Sequence, residues 1–178
     1  MKILALIVTF NRKKLLKRCI QNIKSQTTKI DELLVINNNS DDGTVQFLID
    51  NNIKHITQKN NGSASGWNTG IKYFLKNKFD FIWLMDDDGY PDKNSLNYLK
   101  NSFKQNKDIA CASSLVIDEL TKINFVFPYP KLNTTGNPII FSLKRKFNNI
   151  KEFNKNNFVD SYPYAQLFNG ALISRNAI

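Results

Sequence analysis

A chain of 178 residues that is 42% hydrophobic and 12% aromatic carries enough apolar material for a packed core, which excludes a disordered protein. Its formal net charge of +10 admits a nucleic-acid partner, an anionic membrane surface or anionic small substrates, although dispersed lysines and abundant asparagine also point to a compositional bias. No apolar run is long enough to span a bilayer, and Cys19 and Cys111 lie too far apart to read as a metal or disulfide pair, which suits a reducing compartment.

Residues 3–10 form an apolar run of strand length. The run passes directly into "NRKK" without a small-residue cleavage site, so a buried strand is expected rather than a signal peptide. Residues 13–24 place Leu15, Leu16, Cys19, Ile20 and Ile23 on one helical face. A second strand is expected at 32–37, followed by "NNNSDDGT", in which Ser40, Asp41 and Asp42 are candidate caps for a helix over 44–52. Residues 53–58 read as a third strand, and His55 within it is read as structural. The turn-rich "NNGSASG" leads into a helix over 66–76. A fourth strand spans 81–85, a helix with Asp92 as candidate cap spans 95–105, and a fifth strand spans 109–117. After Leu120, proline and turn residues and the basic-aromatic stretch at 142–153 suggest an irregular excursion with a hairpin. "LFNGALISRNAI" then reads as a strand entering a helix, and the absence of a cap signal at Ile178 leads us to expect a longer natural protein.

Apolar strands alternating with helices predict an α/β fold, a Rossmann-like, mostly parallel sheet flanked by helices. Such sheets bind ligands at the carboxyl ends of the strands, near the point where strand order reverses. "TFNR", "NNNSDDGT" and "DDDG" all follow strands and should therefore meet at one edge. Asp86, Asp87 and Asp88 in the last of these repel one another unless water or a cation intervenes. Asp86 and Asp88, separated by one residue just past a strand end, can both reach one Mg2+ or Mn2+ ion, which takes one or two carboxylates and completes its shell with phosphate oxygens. Two other readings use the same residues. One is an exposed acidic turn. The other is a phosphotransfer site resembling haloacid-dehalogenase-like phosphatases, with Asp86 as nucleophile and Asp88 as general acid. There the motif closes the first strand rather than the fourth, and the later Ser/Thr and Lys partners are not evident.

Four segments, "LIVTFNRKKLLKRCIQNIKSQT", "LLVINNNSDDGT", "NGSASGWNTGI" and "WLMDDDGYP", resemble in order and spacing the signatures of family 2 glycosyltransferases, most of all the rhamnosyl- and galactofuranosyltransferase-like branch. The match covers residues 3–91, and "FNGALISR" resembles the family's acceptor-side segment. The resemblance implies an inverting enzyme of the GT-A fold, here one domain over 1–178 with a nucleotide-binding half (1–117) and a partial acceptor-side half (118–178). It implies that Thr9 and Phe10 hold the nucleotide base and that Asn11 and Arg12 begin the next helix, Arg12 within reach of the diphosphate. Asn37 and Asn38 stand where the family carries an acidic pair, so the choice of base stays open. Gly66, Trp67 and Asn68 match the loop beside ribose and sugar, with Thr69 where Arg is frequent, and Trp67 equally fits a core position. Asp86 and Asp87 would approach the ribose and the metal, Asp88 would coordinate Mn2+ or Mg2+, and Asn169 and Gly170 would lie on the acceptor side. The general base is expected beyond Ile178, because Asp118, Glu119, Glu152 and Asp160 sit in no matching motif.

The leading expectation is a transferase that moves sugar from a UDP- or dTDP-sugar to a glycan or lipid-linked acceptor. It would be cytoplasmic and held peripherally at the inner face of the cell membrane, where basic residues are drawn to anionic lipid. This stretch of chain is expected to bind donor more readily than it transfers sugar. A nucleotidyltransferase would need a Gly-rich loop after the first strand, and "TFNRKK" has no glycine. A nucleic-acid-binding module would explain the charge but not an acidic triplet at the ligand edge, so no nucleic-acid partner is expected.

Overall fold

A computed structural model describes residues 1–140, 145–155 and 162–178. In chain order the elements are β1 (Ile3–Thr9), α1 (Lys13–Lys24), β2 (Glu32–Asn37), α2 (Thr44–Asp50), β3 (Lys54–Thr57), α3 (Ser63–Lys76), β4 (Phe81–Asp86), α4 (Ser95–Gln105), β5 (Cys111–Ser113), β6 (Asn124–Pro130), β7 (Lys146–Asn149), α5 (Ile150–Asn154) and β8 (Ala171–Ser174), which runs into a 3-10 turn, Arg175–Ala177. The described residues form two compact units. One is Met1–Ser114 with Gln166–Ile178, and the other is Leu115–Ala165.

The first unit is built on a six-stranded sheet in the order β3-β2-β1-β4-β8-β5. Strands β1 to β4 run parallel, and β8 lies antiparallel between β4 and β5. Every residue of β1 is buried, as a strand covered on both faces requires. Ile3, Ala5 and Ile7 face a core shared with α1 and α4 residues such as Leu16, Ile20, Leu96 and Leu99. Leu4, Leu6 and Val8 face the other layer, where α3 contributes Trp67 and Phe74. The chain leaves β1 toward β2 on one side and later returns to β4 on the other. The reversal of strand order therefore falls between β1 and β4, and the residues that close these two strands flank the crevice where such sheets take ligands.

Helix α3 begins at Ser63, three residues before the expected start. Gly66, expected at the junction of loop and helix, and Gly70, expected within the helix, both lie inside α3 and let it approach the sheet: a Cβ on Gly66 would stand 2.5 Å from Val8 Cγ1, and one on Gly70 would strike Leu6. Gly62 supplies the turn before the helix at φ 86°, a conformation open mainly to glycine, and its N–H donates to Asn60 Oδ1 at 3.0 Å. The strand expected over 109–117 is also corrected. Only Cys111–Ser113 joins the sheet, whereas Ile117 bridges to Phe125 within the second unit. The third strand is shorter than expected, as is α2. His55 sits in β3 with Nδ1 2.9 Å from the Ile53 carbonyl.

The expected caps Asp42 and Asp92 act from one and two residues before the cap positions. Gly43 precedes α2, and Asp42 Oδ1 accepts from Thr44 N–H at 3.1 Å and from Thr44 Oγ1 at 2.6 Å. Asn94 precedes α4, and Asp92 Oδ1 accepts from its N–H at 3.0 Å. In the second unit β6 and β7 pair antiparallel around Phe125, Tyr129 and Phe147, with Phe153 and Tyr162 packed on them. Asp118 Oδ1 accepts from Thr121 N–H at 2.8 Å, and Glu152 Oε2 from Asn148 N–H at 3.1 Å, so both carboxylates serve local turns. Asp160 lies outside the described residues, as does part of the basic-aromatic stretch. Among the described residues no helix is long and apolar enough to cross a membrane.

Candidate functional site

The loops after β1, β2 and β4 meet at one edge because these strands are neighbours in the sheet. Asn11 adopts φ 53°, donates its N–H to Ser40 Oγ at 2.9 Å and accepts from Asp41 N–H through Oδ1 at 2.9 Å. Its amide oxygen thus latches two loops together. Lys13 N–H donates to Asp42 Oδ2 at 2.7 Å, so one carboxylate joins the first turns of α1 and α2, where negative charge also complements the helix dipoles. Partial burial would raise the Asp42 pKa, but hydrogen bonds from Thr44 and Lys13 outweigh that and hold it below the usual carboxylate value.

A cavity of about 360 Å³ opens at this edge. Of the residues expected at a nucleotide site, Thr9, Phe10, Arg12, Asn38, Trp67, Asp86 and Asp87 line it. Val8, Asn60, Gly62 and Ser63 complete the wall and were missed, although the turn-rich segment before α3 was a visible signal. Trp67 is both core and wall, being 7% exposed and packed against the β1 layer. Asn38 is held by Gln58, whose Nε2 donates to its Oδ1 at 3.0 Å, while its own Nδ2 reaches the Gly62 carbonyl at 3.4 Å. Thr69 donates its hydroxyl to Gln58 Oε1 at 2.6 Å.

Four expected residues lie off the cavity wall, Asn11 among them as the latch between two loops. Asn37 is fully buried, accepting from Ser40 N–H at 3.1 Å and donating to Thr57 Oγ1 at 3.3 Å, so it braces the loop from behind. Gly66 serves close packing, and Asn68 is exposed on α3 away from the cavity wall. Asn169 and Gly170 do return to the site. A Cβ on Gly89 would meet Asn169 Oδ1 at 2.5 Å, and Gly170, at φ 89°, donates its N–H to the Leu84 carbonyl at 2.8 Å. The neighbouring Phe168, at φ 73°, places its ring 5.1 Å from that of Trp67.

The acidic run is the electrostatic centre of the edge. Asp87 is 5% exposed, accepts from Thr9 Oγ1 at 2.8 Å and faces Arg12 Nη1 at 3.3 Å. The same Nη1 is 3.1 Å from Asp88 Oδ2. Arg18 donates to the Asp88 main-chain carbonyl at 3.1 Å and stacks over Tyr90, 4.0 Å from the ring centroid. Burial raises the Asp87 pKa against the opposing pull of Thr9 and Arg12. Asp86 is pushed up to about 6 by burial and then by the charges of Asp88 and Asp87. Cys19, whose Sγ donates to the Asp86 carbonyl at 3.5 Å, is driven well above the ordinary thiol range, first by burial and then by the same carboxylates.

Among the described residues no three His, Cys, Asp or Glu side chains are grouped to hold an ion by themselves. The donor set nevertheless fits a hard divalent cation that draws part of its shell from a ligand. Asp87 and Asp88 share one Arg12 guanidinium, and Asp86 has no ion-pair partner among the described residues. Asp86 and Asp88 are the residues that would hold it.

The structure is a mostly parallel α/β domain with a polar cavity at the carboxyl edge of its sheet, and comparison with known proteins gives its family. The model of "Glycosyl transferase family 2" matches residues 5–172, and the chain belongs to that family. A galactofuranosyltransferase, GlfT1 of Mycolicibacterium smegmatis, is 32% identical over 90 residues, covering 49% of this chain and 30% of that protein. The mannosyltransferase PcManGT of Pyrobaculum calidifontis, solved with GDP-Man and Mn2+, superposes with a TM-score of 0.52 at 20% identity, over 65% of this chain and 35% of that one. S. aureus TarS 1-349 in complex with UDP-GlcNAc gives 0.51 at 17% identity, over 80% and 38%. These structural neighbours are GT-A glycosyltransferases, and the mostly parallel α/β sheet expected from the sequence is the one observed. The chain spans half or less of the length of the curated relatives it matches.

Proposed function

We propose that this chain forms the donor-binding part of an inverting glycosyltransferase that takes sugar from a pyrimidine-diphosphate sugar and passes it to a glycan or lipid-linked acceptor. The observation that carries the reading is the cavity at the β1/β4 crevice, where a half-exposed aromatic ring, fixed amide and hydroxyl groups and an acidic turn share one wall. Supporting it are a relative named for galactofuranosyl transfer and neighbours solved with GDP-Man and Mn2+ or with UDP-GlcNAc.

In this reading Phe10, 44% exposed, offers its ring to the base. Asn38, its Oδ1 already engaged by Gln58, has one amide proton left to present to a base carbonyl. Thr9 holds Asp87 in place, so the buried carboxylate stays oriented at the wall. Mn2+ or Mg2+ bound through Asp86 and Asp88 would supply Lewis-acid neutralisation of the diphosphate leaving group. Asn169 and Phe168 border the acidic turn and Trp67, the side from which an acceptor would approach. We place the protein in the cytoplasm, held peripherally at the inner membrane face where a lipid-linked acceptor would lie.

Isothermal titration with UDP and dTDP, with and without Mn2+, tests the reading. A gain in affinity of about tenfold or more with Mn2+, about 1.4 kcal/mol, is expected, and Asp88→Asn should remove it. Nucleotide binding indifferent to Mn2+, or salt-sensitive nucleic-acid binding without nucleotide binding, refutes it.

A further inference from the structure

We infer that Arg12 is the resident counter-ion of the acidic turn, and that its guanidinium must leave Asp88 before a divalent cation binds there, so that Arg12 makes cation binding depend on the nucleotide. The inference rests on the donor-site reading above and adds an order of loading to it. One nitrogen, Arg12 Nη1, lies 3.3 Å from Asp87 Oδ1 and 3.1 Å from Asp88 Oδ2, between the two carboxylates. Arg18 differs in what it does. It bonds the main-chain carbonyl of Asp88 and stacks on Tyr90, so it secures the backbone of the turn, whereas Arg12 reaches its charges.

A guanidinium and a divalent ion at Asp88 compete, because like charges at that separation repel and Arg12 already takes Asp88 Oδ2. The pair is also built to open. The Arg12 side chain is 53% exposed and that of Asp88 47%, and exposed ion pairs hold weakly. Arg12 stands at the cap position of α1 with non-helical φ −135° and ψ 39°; its carbonyl accepts from Leu16 N–H at 2.9 Å, but its side chain makes no cap hydrogen bond. It lines the cavity, so a guanidinium released from Asp88 remains beside the space in which the diphosphate of a donor would lie. Nucleotide and cation then help one another: the diphosphate receives the freed Arg12, and Asp88 receives the cation. Such coupling is reciprocal.

The test is Mn2+ binding followed by the electron paramagnetic resonance signal of free Mn2+, for the wild-type chain, Arg12→Met and Arg12→Lys, each with and without UDP. Without UDP, R12M should bind Mn2+ about tenfold more tightly than wild type, and R12K, which keeps the charge, should stay near wild type. UDP should then raise the Mn2+ affinity of wild type by about tenfold more than it raises that of R12M. Equal or weaker Mn2+ binding by R12M without UDP overturns the inference alone. Failure of wild type and R12M to bind Mn2+ even with UDP overturns the metal-site reading and the inference together. Asp88→Asn in each background shows that the ion measured is the one at this turn. The half-exposed Arg12 contributes nothing to the core, so R12M should fold, which circular dichroism checks.

Discussion

Replacing Gly70 by alanine would stabilise an ordinary helix interior by about 0.5–1 kcal/mol. In α3 the sign should reverse. The added Cβ would land within contact of Leu6 Cδ2, and would stand 2.5 Å from Cδ1 and 2.9 Å from Cγ of the same side chain. Carbon atoms in contact sit about 3.5–4.0 Å apart, so helix and strand must separate by roughly an ångström. Leu6 has no room to yield, being fully buried in a strand with β2 and β4 on either side. Overpacking of this kind costs about 1–3 kcal/mol, which leaves a net loss centred on about 1 kcal/mol and at most about 2.5 kcal/mol after the helix-propensity gain. Urea unfolding followed by far-UV circular dichroism should show a lower midpoint with an unchanged slope. Gly66→Ala makes the matching comparison. Its Cβ would press on Val8 at 2.5 Å and approach Asn38 Nδ2 at 3.4 Å, so it should weaken nucleotide binding as well as stability, whereas Gly70→Ala should leave binding intact. A Gly70→Ala chain as stable as wild type, or more so, would refute the close-packing account of α3.

Thr9→Val keeps the shape of a buried strand residue but removes the donor to Asp87; it should lower stability by about 1–3 kcal/mol in urea unfolding, and an unchanged midpoint would mean the hydroxyl does not hold the carboxylate. Asp42 titrates below its unfolded value because it accepts from Thr44 and Lys13, so its contribution is present above the unfolded carboxylate pKa of about 3.9 and is lost as pH falls through the lower folded value. Asp42→Asn should therefore be less stable than wild type at pH 7 by about 1 kcal/mol and nearly equal to it at the acid end of a pH series of urea midpoints; a gap that persists at low pH would show that the charge is not what matters.

Much of the fold was legible because its signals are local. Uninterrupted apolar runs at β1, β2 and β4 marked strands buried on both faces, and the spacing of Leu16, Cys19, Ile20 and Ile23 marked the inner face of α1. The start of α3 was misplaced because a glycine that breaks a helix and one that admits a neighbouring strand look alike until the neighbour is known, and Gly66 is of the second kind. The run over 109–117 misled for a related reason. Apolar character says that residues are covered but not by which unit, and Ser113 and Ile117 pair with different sheets. Asn11 and Asn37, read as ligand contacts, are spent on joining loops, a use of the amide that no spacing rule separates from ligand binding.

By itself the sequence determined the alternation of strands and helices, the convergence of three polar loops on one edge and the need of Asp86, Asp87 and Asp88 for positive charge. Each follows from periodicity, from the parallel connection of neighbouring strands or from repulsion between adjacent carboxylates, and none requires a distant partner to be known. Only the tertiary structure decided that β8 would insert antiparallel beside β4, that Asn169 and Phe168 would thereby border the acidic turn and Trp67, and that Arg12 would span Asp87 and Asp88. Those contacts join residues about 75 or more positions apart, and strand order in the sheet, rather than any local pattern, brings such residues within reach of one another.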